Sequence, residues 1–494
     1  MHGRLFLQIA QHLGAILSIL ALGIRPLARR PTGRQACNEQ SFIAADIPLQ
    51  ALPPTQQDWN VFYTNARRVR HWVINSSTEY CADEPWGNDP LRYINDHGPV
   101  RHLFPALASL TVELHYARWD VVSHLWRLLP PHTTIRTLDI SWLSIKQLGD
   151  VLQSMSAAPP TSLRSLTLCI RPASLGEDPD DGPSPSLCFH GIPEVMPLFQ
   201  NLTVLDIRSM CLAESVQQLG ISNQLKIYRV RLDCGLCQHS PRDLAGNFHL
   251  LEELAIFFSP QASSTVASFL THSSLPILKT LELVCKGGKE YVEEQHHISI
   301  SGWTFFPEVV RHLPCQAIRP LLVAVGNVRT LCQLRIVQDD LLDYSKWLSA
   351  GNVPLLEITD CGRVSYASPD DLKPLHDLDL RTLDFFSVPL YLTQSDVTVL
   401  AGTWPRLEVL RLGMNGPHLP VESVLEVAQG FSRLRCLDFI GASDTEEWQI
   451  LGGATVSNHS VKKVLMYNGE QMRMPAMVAM QQLFPNAFYA CNIC

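Results

Sequence analysis

Charged residues recur beside leucines in the apolar segments of this 494-residue chain. In RLEVLRLGMN, residues 406–415, Arg411 stands between Leu410 and Leu412. The same place in similar segments is filled by Asp139, Asp206, Arg229, Glu282, Arg335, Glu357, Asp384 and Asp438. Carboxylates outnumber arginines in this set, which is the chemistry of a mildly acidic surface that binds a basic or mixed-charge peptide or protein. We take these positions as candidate partner-binding residues.

Enzymatic and metal chemistry has little support in the sequence. The C-x-x-C pairs Cys234/Cys237 and Cys491/Cys494 lie far apart in the chain, whereas a structural zinc site needs four ligands together. His296-His297 beside Glu293-Glu294 has no helical ligand spacing and indicates a solvated loop. The nucleophile-elbow, phosphate-loop, zinc-protease and dinucleotide-binding motifs do not occur. We therefore predict no catalytic residue, no cofactor and no metal.

A regular spacing underlies the charged positions. The residues equivalent to Leu410 are Leu356, Leu383, Leu437 and Val464, so that consecutive members of the set lie 27 residues apart. Weaker copies centre on Leu110, Leu138, Leu166, Leu205, Tyr228, Leu254, Leu281 and Leu334. This period with the pattern L-x-x-L-x-L is typical of leucine-rich repeats, in which the alternating leucines face one side of a short strand and a helix returns the chain.

The repeats predict an α/β leucine-rich-repeat solenoid, a curved horseshoe with parallel strands on the concave face and helices on the convex face. Leu410 then lies in the core and Arg411 on the concave face. Replacing Arg411 by alanine is accordingly expected to leave the melting temperature nearly unchanged, since an outward strand position contributes little to the core.

The array is predicted to span residues 101–470 and to carry two insertions. One lies near 172–190, which is rich in Pro, Gly, Asp and Ser, and the other near 286–304. The gap of 53 residues between Leu281 and Leu334 suggests a degenerate unit near 300–312. We expect a helical linker and N-terminal cap at 51–100 and a C-terminal cap or tail at 471–494.

Residues 1–50 allow several interpretations. The stretch 5–24 carries no charge and arginines follow it, which suits a secretory signal, a mitochondrial presequence or a helix that docks on a partner. A membrane span is disfavoured because Gln8, Gln11 and His12 interrupt the apolar run. The net charge of −8 and the lack of a basic run argue against nucleic-acid binding. We expect a cytoplasmic or nuclear monomer without a transmembrane span.

Two phrases resemble a family of fungal F-box-type leucine-rich-repeat proteins. The first follows the linker pattern D-W-x-x-F-x-x-x-A-x-x-V-R, with Asp58, Trp59, Phe62, Ala66, Val69 and Arg70. The second is L-F-P-x-L-x-x-L, with Leu103, Phe104, Pro105, Leu107 and Leu110. The resemblance covers roughly residues 51–470. Residues 1–50 lack the early Leu-Pro and the tryptophan of the family's F-box, so that box is truncated, diverged or absent.

The resemblance implies a substrate receptor of a cullin-type ubiquitin ligase. In that role the N-terminal region binds a Skp-type adaptor, the concave face selects a protein target, and partner enzymes transfer ubiquitin. Two alternatives remain at this stage. One is a repeat scaffold without a ubiquitin-ligase role, and the other is a secreted or organelle-targeted repeat receptor.

Overall fold

The computed structural model describes the chain in separate ranges. These are residues 69–75, 104–113, 134–143, 162–170, 201–211, 224–232, 247–285, 298–300, 303–305, 315–338, 367–385, 392–412, 419–440, 456–468 and 474–493, with isolated residues at 60, 63–64, 67, 388, 390 and 448. The chain divides into two compact units, the first of residues 1–175 and 197–202, and the second of residues 176–196 and 203–494.

The first unit contains four parallel strands. They are β1 (His71–Asn75), β2 (Ser109–Glu113), β3 (Thr137–Leu143) and β4 (Ser165–Ile170), which pair in chain order. Trp72, Leu110, Leu138 and Leu166 lie side by side in this register and are all buried. The apolar column therefore supplies a continuous core along the strands.

The second unit contains a longer parallel sheet and a separate antiparallel pair. Its strands are β5 (Val204–Cys211), β6 (Ile227–Arg231), β7 (Glu253–Phe258), β8 (Thr280–Cys285), β9 (Ile298–Ile300), β10 (Trp303–Phe305), β11 (Gln333–Gln338), β12 (Thr382–Phe385), β13 (Val409–Leu412), β14 (Cys436–Ile440), β15 (Lys463–Asn468) and β16 (Phe488–Ile493). The parallel order runs from β5 to β8 and then from β11 to β16, whereas β9 and β10 pair only with each other.

Helices connect many of these strands. They are α1 (Ser263–His272), α2 (Cys315–Gly326), α3 (Gln394–Thr403), α4 (Val421–Gly430) and α5 (Met474–Leu483), with short 3₁₀ helices at Pro260–Ala262 and Pro369–Leu375. At the start of α3 the Thr393 hydroxyl accepts a hydrogen bond from the Asp396 amide, and the Asp396 carboxylate accepts one from the Thr393 amide at 2.8 Å. Neighbouring helices pack together, α1 on α2 and α3 on α4. Among the described residues, no helix is long and apolar enough to cross a membrane.

The strand register confirms an α/β fold with parallel strands and most of the repeat alignment. In the second unit the paired positions are Leu205, Tyr228, Leu254, Leu281, Leu334, Leu383, Leu410, Leu437 and Val464, and all are buried. Each had been aligned from sequence alone. The spacing of leucines thus identified which residue of each strand faces the core.

The register leaves no further strand beside β11 in the sheet. β11 pairs with β8 on one edge, where Leu334 meets Leu281, and with β12 on the other, where Leu334 meets Leu383. Both edges of β11 are therefore occupied by β8 and β12. Leu356, around which one repeat strand is predicted, lies outside the described ranges, as do residues 306–312 of the degenerate unit. Both units stay predictions.

Two strands of the parallel sheet were not anticipated. β1 places Trp72 beside Leu110, although a helical linker and cap had been expected at 51–100. β16 places Tyr489 beside Val464, so the last segment extends the sheet instead of only capping it. Aromatic side chains replace leucine at both positions, which hid them from a leucine pattern. Residues 1–50 and the insertion at 172–190 lie outside the described ranges.

Replacing Leu410 tests the core register. The side chain is 2% exposed, and Leu410→Ala is expected to lower the free energy of unfolding by about 3 kcal/mol. Leu410→Asp, which buries an unpaired charge, should abolish cooperative unfolding. Urea titration followed by circular dichroism measures both. The control is Ser432→Asp at an exposed turn, and equal effects at 410 and 432 would refute the register.

Candidate partner-binding surface

The charged column lies on the side of the strands opposite the leucines, because successive strand residues alternate between faces. In the second unit its members pair in the order Asp206, Arg229, Ala255, Glu282, Arg335, Asp384, Arg411, Asp438. Asp139 lies in the first unit between Thr111 and Thr167. Glu357 lies outside the described residues. The remaining candidates of the second unit therefore share one face, as expected.

Five of these residues form a continuous line of ion pairs, which we call the charge ladder: Glu282, Arg335, Asp384, Arg411 and Asp438. Arg335 Nη1 lies 2.7 Å from Glu282 Oε1, and its Nε lies 3.2 Å from Asp384 Oδ2. Arg411 Nη1 lies 3.1 Å from Asp384 Oδ2, and its Nε lies 3.0 Å from Asp438 Oδ2. Both Nε atoms lack hydrogen-bond geometry, so these two contacts are chiefly Coulombic attraction.

An apolar break separates the charge ladder from a second ion pair. Arg229 Nη1 lies 3.1 Å from Asp206 Oδ2 on the neighbouring strand. Between this pair and Glu282 stands Ala255, which forms a buried apolar cluster with Phe257 and Val284. Because that cluster is buried, it offers no exposed contact, and the accessible candidates lie on either side of it.

Burial distinguishes the carboxylates from the arginines. The side chains of Asp384 and Asp438 are 4% and 3% exposed, whereas those of Arg335 and Arg411 are 39% and 33% exposed. The arginines extend over the shorter aspartates and cover them. Within the charge ladder the guanidinium groups are therefore more exposed than the two aspartates, and Glu282 is 30% exposed. The mildly acidic character of the whole surface stays a prediction.

The electrostatic environment differs between the two partners. Burial raises the pKa of Asp438 above its ordinary value, although the charge of Arg411 opposes that shift. Burial acts to lower the pKa of Arg411, but Asp384 and Asp438 outweigh it and raise the pKa. Burial and the nearby Asp438 raise the pKa of the Cys436 thiol, which lies 3.4 Å from Asp438 Oδ1. That thiol stays protonated at neutral pH, a poor state for a nucleophile.

The phrases that carry the family resemblance meet in the first unit. The rings of Trp72 and Phe104 lie 4.5 Å apart between centroids. Arg70 Nη1 donates a hydrogen bond to the Ala106 carbonyl at 3.4 Å. Phe104 adopts a left-handed backbone, with φ of 57°, and is buried. Packing against Trp72 thus holds a conformation that costs a non-glycine residue about 1 kcal/mol.

The metal candidates suggested by sequence receive no support within the described ranges. No cluster of three or more His, Cys, Asp or Glu side chains there is arranged to hold an ion. Cys491 lies in β16, whereas Cys234, Cys237 and Cys494 lie outside the described residues. The His296-His297 segment and its glutamates lie outside them as well.

Two comparisons with known proteins were made for this chain, one with protein-family models and one with curated proteins. No protein-family model matches it. No curated protein matches it either. We therefore infer function from the described side chains and their positions.

Removing Arg411 is now expected to destabilise the chain, contrary to the expectation from sequence. Arg411→Ala leaves Asp384 and Asp438 buried with fewer cations, which should lower the free energy of unfolding by about 2 kcal/mol after allowance for partial exposure. Urea titration measures this loss. Arg406→Ala is the control, because Arg406 and Asp379 form an exposed pair at 2.8 Å worth about 0.5 kcal/mol. Equal losses of unfolding free energy in Arg411→Ala and Arg406→Ala would contradict a stabilising role of the charge ladder.

Acidity should affect the stability contributed by Asp438. Its pKa is raised in the folded chain, so as the pH falls the folded state binds the proton before the unfolded state does. The resulting relative stabilisation is complete below the unfolded pKa, near 3.8, and is lost as the pH rises through the folded pKa. We expect the wild-type chain to gain free energy of unfolding relative to Asp438→Asn on acidification from about pH 7.5 to about pH 4.5. Urea titrations at several pH values measure the difference in free energy of unfolding between the two chains. A difference that changes in favour of the asparagine variant on acidification would contradict the raised pKa of Asp438.

Proposed function

We propose that this chain is a leucine-rich-repeat solenoid of horseshoe form that acts as a non-catalytic protein-binding module. The supporting observation is the strand register, in which one column of the second unit buries leucines and the next column carries paired charges. A parallel array of this kind offers a regular side-chain surface to a partner. The proposal includes the concave face as the binding face.

The charge ladder supports protein recognition through the arginines that it holds in place. Arg335 and Arg411 each contact two carboxylates, yet about a third of each side chain remains exposed. A restrained arginine loses less conformational entropy when a partner binds than a free one does. Arginine is also enriched among the residues that dominate protein–protein binding energies. We therefore propose Arg335 and Arg411 as the main contacts within this surface.

The chain's cellular role, in this proposal, is that of an F-box-like substrate receptor for a cullin-type ubiquitin ligase. The support is the resemblance of residues 51–110 to the linker and first repeat of that family, together with the contact of Trp72 with Phe104. The N-terminal region then binds a Skp-type adaptor, and the repeats bind the protein destined for ubiquitination. The alternative is a scaffold without a ligase role, which would bind the target protein but not the adaptor.

The adaptor is tested by affinity capture from the native cell. The full chain should capture both the adaptor and a target, whereas a chain lacking residues 1–50 should keep the target and lose the adaptor. Mass spectrometry of the captured proteins measures both. Capture of a target with no adaptor by the full chain would favour the scaffold, and an intact mass lacking residues 1–23 would favour a targeted receptor.

The binding face is tested in the same capture by two bulky substitutions. Gln333 is exposed on β11, next to Arg335 on the same face, so Gln333→Trp should reduce target capture at least about tenfold by steric exclusion. Val323 in α2 is 48% exposed, and Val323→Trp adds the same bulk to the helical layer as a matched control. Equal capture by both variants would contradict the proposed face.

A further inference from the structure

A second charged surface lies where strands β12 to β15 begin. The residues two positions before the leucine column are Arg381, Glu408, Arg435 and Lys462. Successive backbone hydrogen bonds place them on adjacent strands, because each amide donates to the carbonyl of the preceding member at 2.7, 2.7 and 2.8 Å. Their side chains therefore emerge in a row at the amino-terminal edge of the sheet.

Five cationic side chains make up this surface, which we call the basic edge: Arg381, Arg433, Arg435, Lys462 and Lys463. All five are exposed. Glu408 is the one carboxylate within the row, and its Oε2 lies 3.6 Å from Arg435 Nε. Within the part of the chain that the structure describes, the other four cations have no ion-pair partner. The basic edge thus carries a substantial uncompensated positive charge.

The cations at this position before β6 and β8 are neutralised. Glu252 lies between Lys226 and Lys279, at 3.7 and 2.8 Å from their ammonium groups. Arg406, close to the basic edge, is paired with Asp379 at 2.8 Å. The chain as a whole has a net charge of −8, so an unpaired positive row does not follow from composition. Such local excess charge is a recognised basis for attraction of an oppositely charged partner.

We propose that the basic edge binds an acidic segment of a protein partner, an inference that rests on the proposed protein-binding function. Three strand spacings of about 4.8 Å separate β12 from β15, a span that an extended peptide of about four to five residues covers. Lys463 connects the basic edge to the charge ladder, because in the strand register it lies beside Cys436, two residues before Asp438 on β14. The partner's carboxylates therefore meet the cations at the edge while adjoining residues reach Arg411.

An acidic protein segment suits this surface better than a nucleic acid. Stable binding of a phosphate backbone depends on many cations along an extended track, whereas the basic edge spans only four strands. The net charge of −8 also repels a long polyanion more strongly than a short acidic peptide. Phe488 is 68% exposed and begins β16 beside Lys462. An apolar residue that adjoins the acidic residues of the partner segment can pack against it.

Fluorescence anisotropy of the full chain with a labelled ten-glutamate peptide at low salt tests the proposal. The variant Arg381→Gln/Lys462→Gln/Lys463→Gln should weaken binding about tenfold or more. The control Lys226→Gln/Lys279→Gln/Lys373→Gln removes the same number of exposed positive charges elsewhere and should change binding less than about twofold. A ten-glutamine peptide and a ten-uridine RNA serve as comparison ligands. Both variants must retain the wild-type unfolding transition, and the exposure of all six positions makes this the expected result.

Three results would overturn the proposal. In the first, the wild-type chain binds the glutamine peptide as tightly as the glutamate peptide. In the second, the two triple variants lose equal affinity for the glutamate peptide. In the third, the wild-type chain binds the RNA more tightly than the glutamate peptide. If any of these occurs while Gln333→Trp still reduces target capture, the basic edge is excluded and the proposed binding face stands. If target capture is insensitive to Gln333→Trp but the peptide binds as expected, the proposed face fails and the basic edge remains.

Discussion

In-register parallel pairing places equivalent residues of neighbouring strands about 4.8 Å apart, and this spacing constrains both faces of the sheet. Leucines at that spacing pack into one continuous core. Charges of equal sign would repel by about 3 kcal/mol at the effective dielectric of a protein surface. The order Glu282, Arg335, Asp384, Arg411, Asp438 alternates in sign and turns that cost into attraction.

Alternation of sign does not explain which of these charges are exposed to solvent, because side-chain length decides that. An aspartate ends close to the backbone, whereas an arginine from the next strand reaches across it, which leaves Asp384 and Asp438 buried and Arg411 partly exposed. Burial of the carboxylates makes them dependent on the arginines, so the proposed binding surface and the contacts that stabilise the fold share residues. Substitution of Arg411 is therefore expected to change both binding and stability.

The sequence predicted the core register well because leucine spacing is a direct consequence of strand alternation. It missed Trp72 and Tyr489, where aromatic residues fill the leucine position. Local patterns cannot show which segments pair over long distances. The proximity of the charges was foreseeable from the strand spacing, but the burial of the aspartates was not, because it depends on the conformations of neighbouring arginines.

The basic edge shows why the total charge of a chain is a poor guide to the charge of any one surface on a parallel sheet. Each repeat contributes one residue to each row, so a row collects the charges of one sequence position and can differ in sign from the whole chain. At physiological salt, charges act over only about 8 Å, which is less than two strand spacings. An approaching segment therefore experiences the row that it meets, and along β12 to β15 that row is positive although the chain is acidic.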